Sequence, residues 1–280
     1  MPSFDLHGAR IEFLDGGAGE PVILLHCSAS SSEQWRALAE RLARSYRVLA
    51  PDFYGCGASD RWREGAFCLA NEAEIVYALL RRAGSRAHLI GHSYGGAVAL
   101  QAALRRGAAV RSLTLIEPVA FHVLREANGV DAALYDEVSA VGRRIIRAHA
   151  DGLRETGMEA FVDFWNGAGA WAAIPAEKRG PLCARLDKLV LDYEAVSEEA
   201  TRLHDFWPLF MPALILQGSA SPLAVRRICS QLSRVLPEVR HEVIEGAGHM
   251  LPLTHAAVVN ERIVAHLDKV RRQQSFQFAA

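Results

Sequence analysis

An α/β protein with a mostly parallel sheet covered by helices on both faces is what the order of short apolar runs and amphipathic stretches predicts. The first run, Pro21 to His26, is apolar and of strand length. From Glu33 to Ala43, Trp35, Leu38, Ala39 and Leu42 recur at helical spacing. Ser30-Ser31-Ser32 ahead of it reads as a helix N-cap cluster. Tyr46 to Ala50 is the next strand, ending at Pro51-Asp52 and a turn with Gly55 and Gly57. A helix over Glu72 to Leu80, a strand over Ala87 to Gly91, an Ala-rich helix over Gly95 to Arg106 and a strand over Val110 to Ile116 follow. Strands that are apolar throughout are buried on both faces, which is the state of a parallel sheet between helical layers.

That alternation stops once. Residues 119–207 contain no convincing strand but many aromatic residues, among them Phe121, Phe161, Phe164, Trp165, Trp171, Phe206 and Trp207. They are expected to form an inserted helical subdomain, leaving residues 1–118 and 208–280 as the α/β core. Alternation resumes with a strand over Pro212 to Leu216. A helix with Val225, Ile228, Cys229, Leu232 and Val235 on one face comes next, then a strand over Val239 to Glu245. A last helix carries Val259, Ile263, Leu267 and Val270. The tail Arg271 to Ala280 loses periodicity and is expected to be mobile.

Composition bounds the function. Of 280 residues, 50% are hydrophobic and 22% charged, and 31 Lys and Arg against 32 Asp and Glu leave a net charge of −1. A chain this long buries a large core without staples. The neutral balance offers no footprint for nucleic acid or an anionic membrane. Five scattered cysteines without CxxC spacing indicate neither a disulfide framework nor a zinc site. Reduced thiols, no basic-then-apolar leader and no apolar run near ~18 residues lead to the expectation of a cytoplasmic protein, monomer or homodimer.

Gly91-His92-Ser93-Tyr94-Gly95-Gly96 carries the chemistry. It matches G-x-S-x-G between a predicted strand and a predicted helix, the context in which a serine is held on a sharp turn with its hydroxyl exposed. The helix N-terminus behind Ser93 places a positive dipole end where negative charge develops. With Leu24-Leu25-His26-Cys27-Ser28 after the first apolar run and Glu245-Gly246-Ala247-Gly248-His249-Met250 after the last strand, the chain resembles the α/β-hydrolase fold family over essentially its whole length. The resemblance implies a twisted sheet of about eight strands, a helical cap where residues 119–207 lie, and a catalytic serine, histidine and acid without a cofactor or metal.

Site residues follow from that resemblance. Ser93 is the nucleophile and His249 the general base. Ser28 and Tyr94 are the residues whose backbone N–H groups form the oxyanion hole. Cys27 stands where the family usually has Gly; it is either a small buried residue or, like the Ser28 hydroxyl, a substrate contact. His26 is read as structural, and Asp52 in Pro51-Asp52-Phe53-Tyr54-Gly55-Cys56-Gly57 as an organiser of its loop. Where most members carry the acid, this chain reads Gln217-Gly218-Ser219-Ala220-Ser221-Pro222, with no acid between Ala213 and Leu236. Either the site is a dyad or the acid has moved. Glu117 in Leu115-Ile116-Glu117-Pro118, past the end of the preceding strand, is the expected replacement, as in one branch of the family.

The cap aromatics suggest a medium-sized hydrophobic small molecule, with Trp165 and Phe121 as expected substrate contacts. The expected activity is hydrolysis of an ester, thioester or amide through an acyl-enzyme. The same residues are compatible with C–C bond hydrolysis, hydroxynitrile lyase chemistry or acyl transfer, because fold does not fix chemistry. A non-catalytic ligand-binding protein is the third alternative.

Overall fold

The structure is a computed structural model and describes residues 1–125 and 129–277. Its strands are β1 (Ser3–Leu6), β2 (Ala9–Gly16), β3 (Glu20–Leu25), β4 (Tyr46–Pro51), β5 (Ala87–His92), β6 (Val110–Ile116), β7 (Ala213–Gly218) and β8 (Val239–Ile244). They form one sheet in the order β1-β2-β4-β3-β5-β6-β7-β8. Pairing is parallel from β4 to β8, and β1 and β2 are antiparallel additions at one edge. The periodicity argument starts at Pro21 and misses that edge. Its signal is a two-residue turn at His7-Gly8, both with positive φ, between Phe4 and the alternating Ile11 and Phe13.

Helices cover both faces. Alternate strand residues Val22, Leu24, Val48, Ile90, Ile116 and Leu214 pack beneath α1 (Arg36–Leu42) and α11 (Ala256–Gln277). Their neighbours Ile23, Leu25, Leu49, Leu89, Leu113 and Ile215 pack against α2 (Leu69–Ala83), α3 (Tyr94–Arg106) and α9 (Leu223–Val235). Between β6 and β7 the described residues form helices and no strand: α4 (His122–Arg125), α5 (Val130–Ala150), α6 (Arg154–Asn166), α7 (Ala176–Cys183), α8 (Leu186–Ser197) and a 3-10 turn at Leu203–Phe206. The short α10 (Leu251–Thr254) precedes α11. No helix among the described residues is long and apolar enough to cross a membrane.

Two local expectations are corrected. Arg271 onward, expected to be mobile, continues α11 through Gln277; Arg and Gln are good helix formers and need no apolar face to extend a helix already docked. Residues 278–280 lie outside the described residues. Ser31 occupies the N-cap position of its 3-10 turn but makes no side-chain capping bond. The Ser32 N–H donates to Asp52 Oδ1 at 2.7 Å instead, because a carboxylate is a stronger acceptor than a hydroxyl.

The topology positions the site. From β3 the chain moves outward to β4, then returns to β5 on the other side. The carboxyl ends of β3 and β5 therefore flank a switch point, where ligands bind in open α/β sheets. Leu25 is in register with Gly91 there.

Candidate active site

Ser93 sits between β5 and α3 with φ 56° and ψ −117°. Left-handed φ in a residue other than glycine is costly and marks imposed geometry. Four described residues of this kind occur, and three of them, Ala29, Ser93 and Glu117, lie at this site. The elbow tolerates no side chain beside it. A Cβ on Gly95 would lie 2.3 Å from Leu25 O, and one on Gly91 would lie 2.2 Å from Gly95 O. The Ser93 N–H donates to Ile116 O at 2.9 Å, tying the elbow to the neighbouring strand.

His249, Ser93 and Glu117 form one hydrogen-bonded chain. His249 Nδ1–H donates to Glu117 Oε2 at 2.7 Å. A carboxylate only accepts, so the proton is on Nδ1, and Nε2 is free to accept from the Ser93 hydroxyl at 2.9 Å. All three residues are buried. The second oxygen of Glu117 accepts from the Gly218 N–H at 2.6 Å, so the carboxylate bridges the ends of β6 and β7. Ser221, in the loop after β7, is buried and its hydroxyl has no partner among the described residues. The Trp165 ring stacks on the His249 imidazole, with centroids 3.9 Å apart and planes at 22°.

Beside Ser93, the backbone N–H groups of Ser28 and Tyr94 are without hydrogen-bond partners among the described residues. That of Tyr94 opens α3, where first-turn donors have no intrahelical acceptor. Two buried imidazoles hold the surrounding loops. His26 Nδ1–H donates to Cys27 O at 2.7 Å while Nε2 accepts from the Phe53 N–H at 3.1 Å. Burial pulls its pKa down to about 4, keeping the ring neutral for both bonds. Gln34 joins the oxyanion loop to the histidine loop. Its Oε1 accepts from the Cys27 N–H at 3.0 Å and its Nε2 donates to His92 Nδ1 at 3.0 Å. His92 Nε2–H then donates to His249 O at 2.9 Å. Burial, then the neighbouring His249, holds His92 well below the usual imidazole range.

Asp52 organises its loop, accepting from the Ser32 and Ala58 N–H groups through its carboxylate and from the Ser59 hydroxyl through its carbonyl. Burial raises the Cys27 thiol to about 12, and Cys27 is absent from the lining of the cavity that Ser93 faces.

That cavity is lined by Ser28, Ser93 and Tyr94 from the core and by Phe121, Phe161 and Trp165 from the helical segment. It measures about 10 Å³, room for roughly one water. Asp192, Tyr193 and Val196 of α8 complete its wall. On the other side of Trp165, an open cleft of about 500 Å³ is lined by Glu137, Phe164, His249 and Met250. A further cleft, about 740 Å³ beside Arg86, Arg111, Pro212 and Glu238, lies at the amino-terminal ends of the strands, away from these groups.

The expected site residues thus come together, including Trp165 and Phe121, whose rings stack at 6.3 Å. Gln34, His92 and Asp192 are additions. Asp192 had a signal: it lies four residues after Lys188 in the otherwise apolar run Leu189-Val190-Leu191, the spacing of an ion pair on one helix face.

Known proteins bear on this geometry. The chain is 30% identical over 275 residues to polyketide synthase ThaQ of Burkholderia thailandensis, covering 95% of this chain and 12% of that one. It is 32% identical over 155 residues to 2-hydroxymuconate semialdehyde hydrolase of a Pseudomonas species, covering 50% of each. The chain therefore spans half or less of the length of these curated relatives. An alpha/beta hydrolase from Sphaerobacter thermophilus superposes with a TM-score of 0.70 at 25% identity, over 93% of this chain and 99% of that one. The model of the alpha/beta hydrolase family matches residues 22–262. With that match over most of its length and one eight-stranded sheet, this chain belongs to the alpha/beta hydrolase family.

Proposed function

We propose that the protein is a serine hydrolase that cleaves a small-to-medium hydrophobic ester, thioester or amide through an acyl-enzyme. The observation that carries this reading is the chain Ser93 Oγ–His249 Nε2 at 2.9 Å and His249 Nδ1–Glu117 Oε2 at 2.7 Å. In it, His249 takes the Ser93 proton as Oγ attacks the carbonyl carbon. Glu117 holds the Nδ1–H tautomer and stabilises the imidazolium without taking the proton. The Ser28 and Tyr94 N–H groups receive the developing oxyanion. The imidazolium then protonates the leaving group, and water repeats the sequence on the acyl-enzyme. The aromatic wall of the Ser93 cavity supports an apolar acyl group, and the cleft beyond Trp165 supports a route for the rest of the substrate. Residues 119–207 then act as the cap.

The relative named a semialdehyde hydrolase favours a second reading. A semialdehyde offers no heteroatom leaving group at its carbonyl, so the same three residues would serve C–C bond cleavage. A fluorophosphonate probe followed by peptide mass spectrometry tests the common part: Ser93 should be the labelled residue. Ser93→Ala should fold normally and lose on the order of 10⁴ in kcat or more. Ordinary turnover by that variant ends the proposal. A panel of p-nitrophenyl esters of graded chain length beside C–C substrates separates the two readings.

A further inference from the structure

We propose that Asp192 is a positioning residue that assembles the oxyanion hole, tying together from α8 the two residues that supply its N–H donors. The inference rests on the hydrolase reading above, with Ser28 and Tyr94 as those donors, and deepens it.

Ser28 and Tyr94 belong to separate parts of the core, the loop after β3 and the first turn of α3. The register of Leu25 with Gly91 sets the two strands side by side, but both donors lie beyond the last paired residues. A side chain joins them. Asp192 takes hydrogen bonds from the hydroxyls of Ser28 and Tyr94 and from the Lys188 ammonium one turn earlier on α8. It is buried, and it lines the Ser93 cavity beside the two residues it joins. Lys188 fixes it in turn. The ammonium lies 2.8 Å from Glu72 Oε1 on α2 and 4.8 Å from the centre of the Tyr94 ring, so it anchors α8 to the core.

A second contact from the same region reaches the same loop. Arg185, at the N-cap position of α8, donates to Ala29 O. Ala29 has φ 54°, a conformation that persists only where the surroundings impose it. The oxyanion loop is thus gripped at two consecutive residues, Ser28 and Ala29, from the start of α8. A buried cluster of two carboxyls and an ammonium adds little stability over apolar packing of the same volume. Here it fixes position: a carboxyl accepts from several donors at once, and an apolar side chain would release both hydroxyls. The donors of an oxyanion hole must stand about 2.7–3.1 Å from the oxygen that becomes charged. A misplacement of about 1 Å costs up to roughly 100-fold in rate.

The test reads the preference for a carbonyl oxygen. In p-nitrophenyl thionobutyrate, C=S replaces the C=O of the butyrate ester. Sulfur is larger and a weak acceptor, so it draws little on donors spaced for oxygen. The oxo/thiono ratio of kcat values, each divided by the rate with hydroxide, reports the hole and is insensitive to the folded fraction. Asp192→Ala should lower that ratio roughly 10- to 100-fold, with KM for the butyrate ester within about threefold of native. Ser28→Ala and Tyr94→Phe delete only hydroxyls and keep the N–H groups, yet each should lower the ratio several-fold. Arg185→Ala, at an exposed residue, should do the same. Added to Asp192→Ala, Ser28→Ala should cost nothing more, because the bond it removes is already gone. If Asp192→Ala does not fold, the other three single variants decide. A ratio within twofold of native in folded Asp192→Ala, or in all three of the others, overturns the proposal and leaves the hydrolase reading intact. So does a double variant whose loss is the product of the single losses. Failure of the native protein to turn over any ester overturns both.

Discussion

Glu117→Gln isolates what the relocated acid does. The substitution keeps shape and removes charge, and the second hydrogen bond of Glu117 decides how the new amide sits. The Gly218 N–H donates to Oε1 at 2.6 Å, so the amide oxygen stays there. The NH₂ then occupies the place of Oε2, 2.7 Å from His249 Nδ1. Two donors cannot face each other at that distance. His249 must move its proton to Nε2, and a protonated Nε2 cannot accept from Ser93 Oγ. The expected loss in kcat is on the order of 10⁴, as for the same carboxylate-to-amide exchange in serine proteases, or about 5 kcal/mol of transition-state stabilisation. Folding should change by no more than about 1 kcal/mol, because both buried contacts survive in some form. Steady-state kinetics on p-nitrophenyl butyrate reads the first quantity, a urea midpoint the second, and ¹⁵N NMR of His249 the tautomer. Adding Ser221→Asp should recover part of the loss by supplying a carboxylate from the β7 end. A Glu117→Gln protein with kcat within threefold of native refutes the reasoning.

Three further outcomes are expected. Trp165→Ala removes the wall between the Ser93 cavity and the outer cleft, so the optimum should move to longer acyl chains; an unaltered chain-length profile assigns Trp165 to packing alone. Gln34→Leu leaves the Cys27 N–H and His92 Nδ1 unpaired, which should destabilise the fold by roughly 1–3 kcal/mol for each group and lower kcat as both loops loosen; an unchanged urea midpoint counts against this link. Burial holds His26, His122 and His266 at about 4 and His88 at about 3, against about 6.5 in an unfolded chain. The unfolded chain therefore binds these protons first. Stability should be complete above pH 6.5 and drain as pH falls toward 4, by roughly 1.4 kcal/mol per pH unit for each histidine; a urea midpoint constant from pH 7 to 5 contradicts it.

Much of the fold was legible because burial on both faces leaves a local mark. The uninterrupted apolar runs at Val22 to Leu25 and Ala213 to Leu216 became central strands, and Val259, Ile263, Leu267 and Val270 became a wholly buried helix stripe. Where burial is partial the mark fades. The β1–β2 edge mixes Arg10 and Glu12 with Ile11 and Phe13, and the end of α11 carries no apolar period although its backbone is helical. The serine elbow was equally local, since its glycines are demanded by backbone contacts within a few residues or with the adjacent strand.

Residue types and short spacings along the chain determined the element order, the strand–Ser93–helix turn, the His249 loop, and the absence of an acid after β7 together with a candidate at Glu117. Tertiary structure alone decided that these groups meet. Ser93 and His249 are 156 residues apart, and Glu117 and Gly218 are 101 apart. It also decided the tautomer of His249, the bridge from Cys27 through Gln34 and His92, and the fate of Asp192. The Lys188–Asp192 spacing is visible in the sequence as an ordinary helix ion pair. Only packing of α8 over the core withdraws both from water and sets the Lys188–Asp192 pair beside Glu72 and Tyr94. Hydrogen bonding and charge are set by what stands within a few ångströms in space, and backbone periodicity carries information only about the neighbours on the same strand or helix.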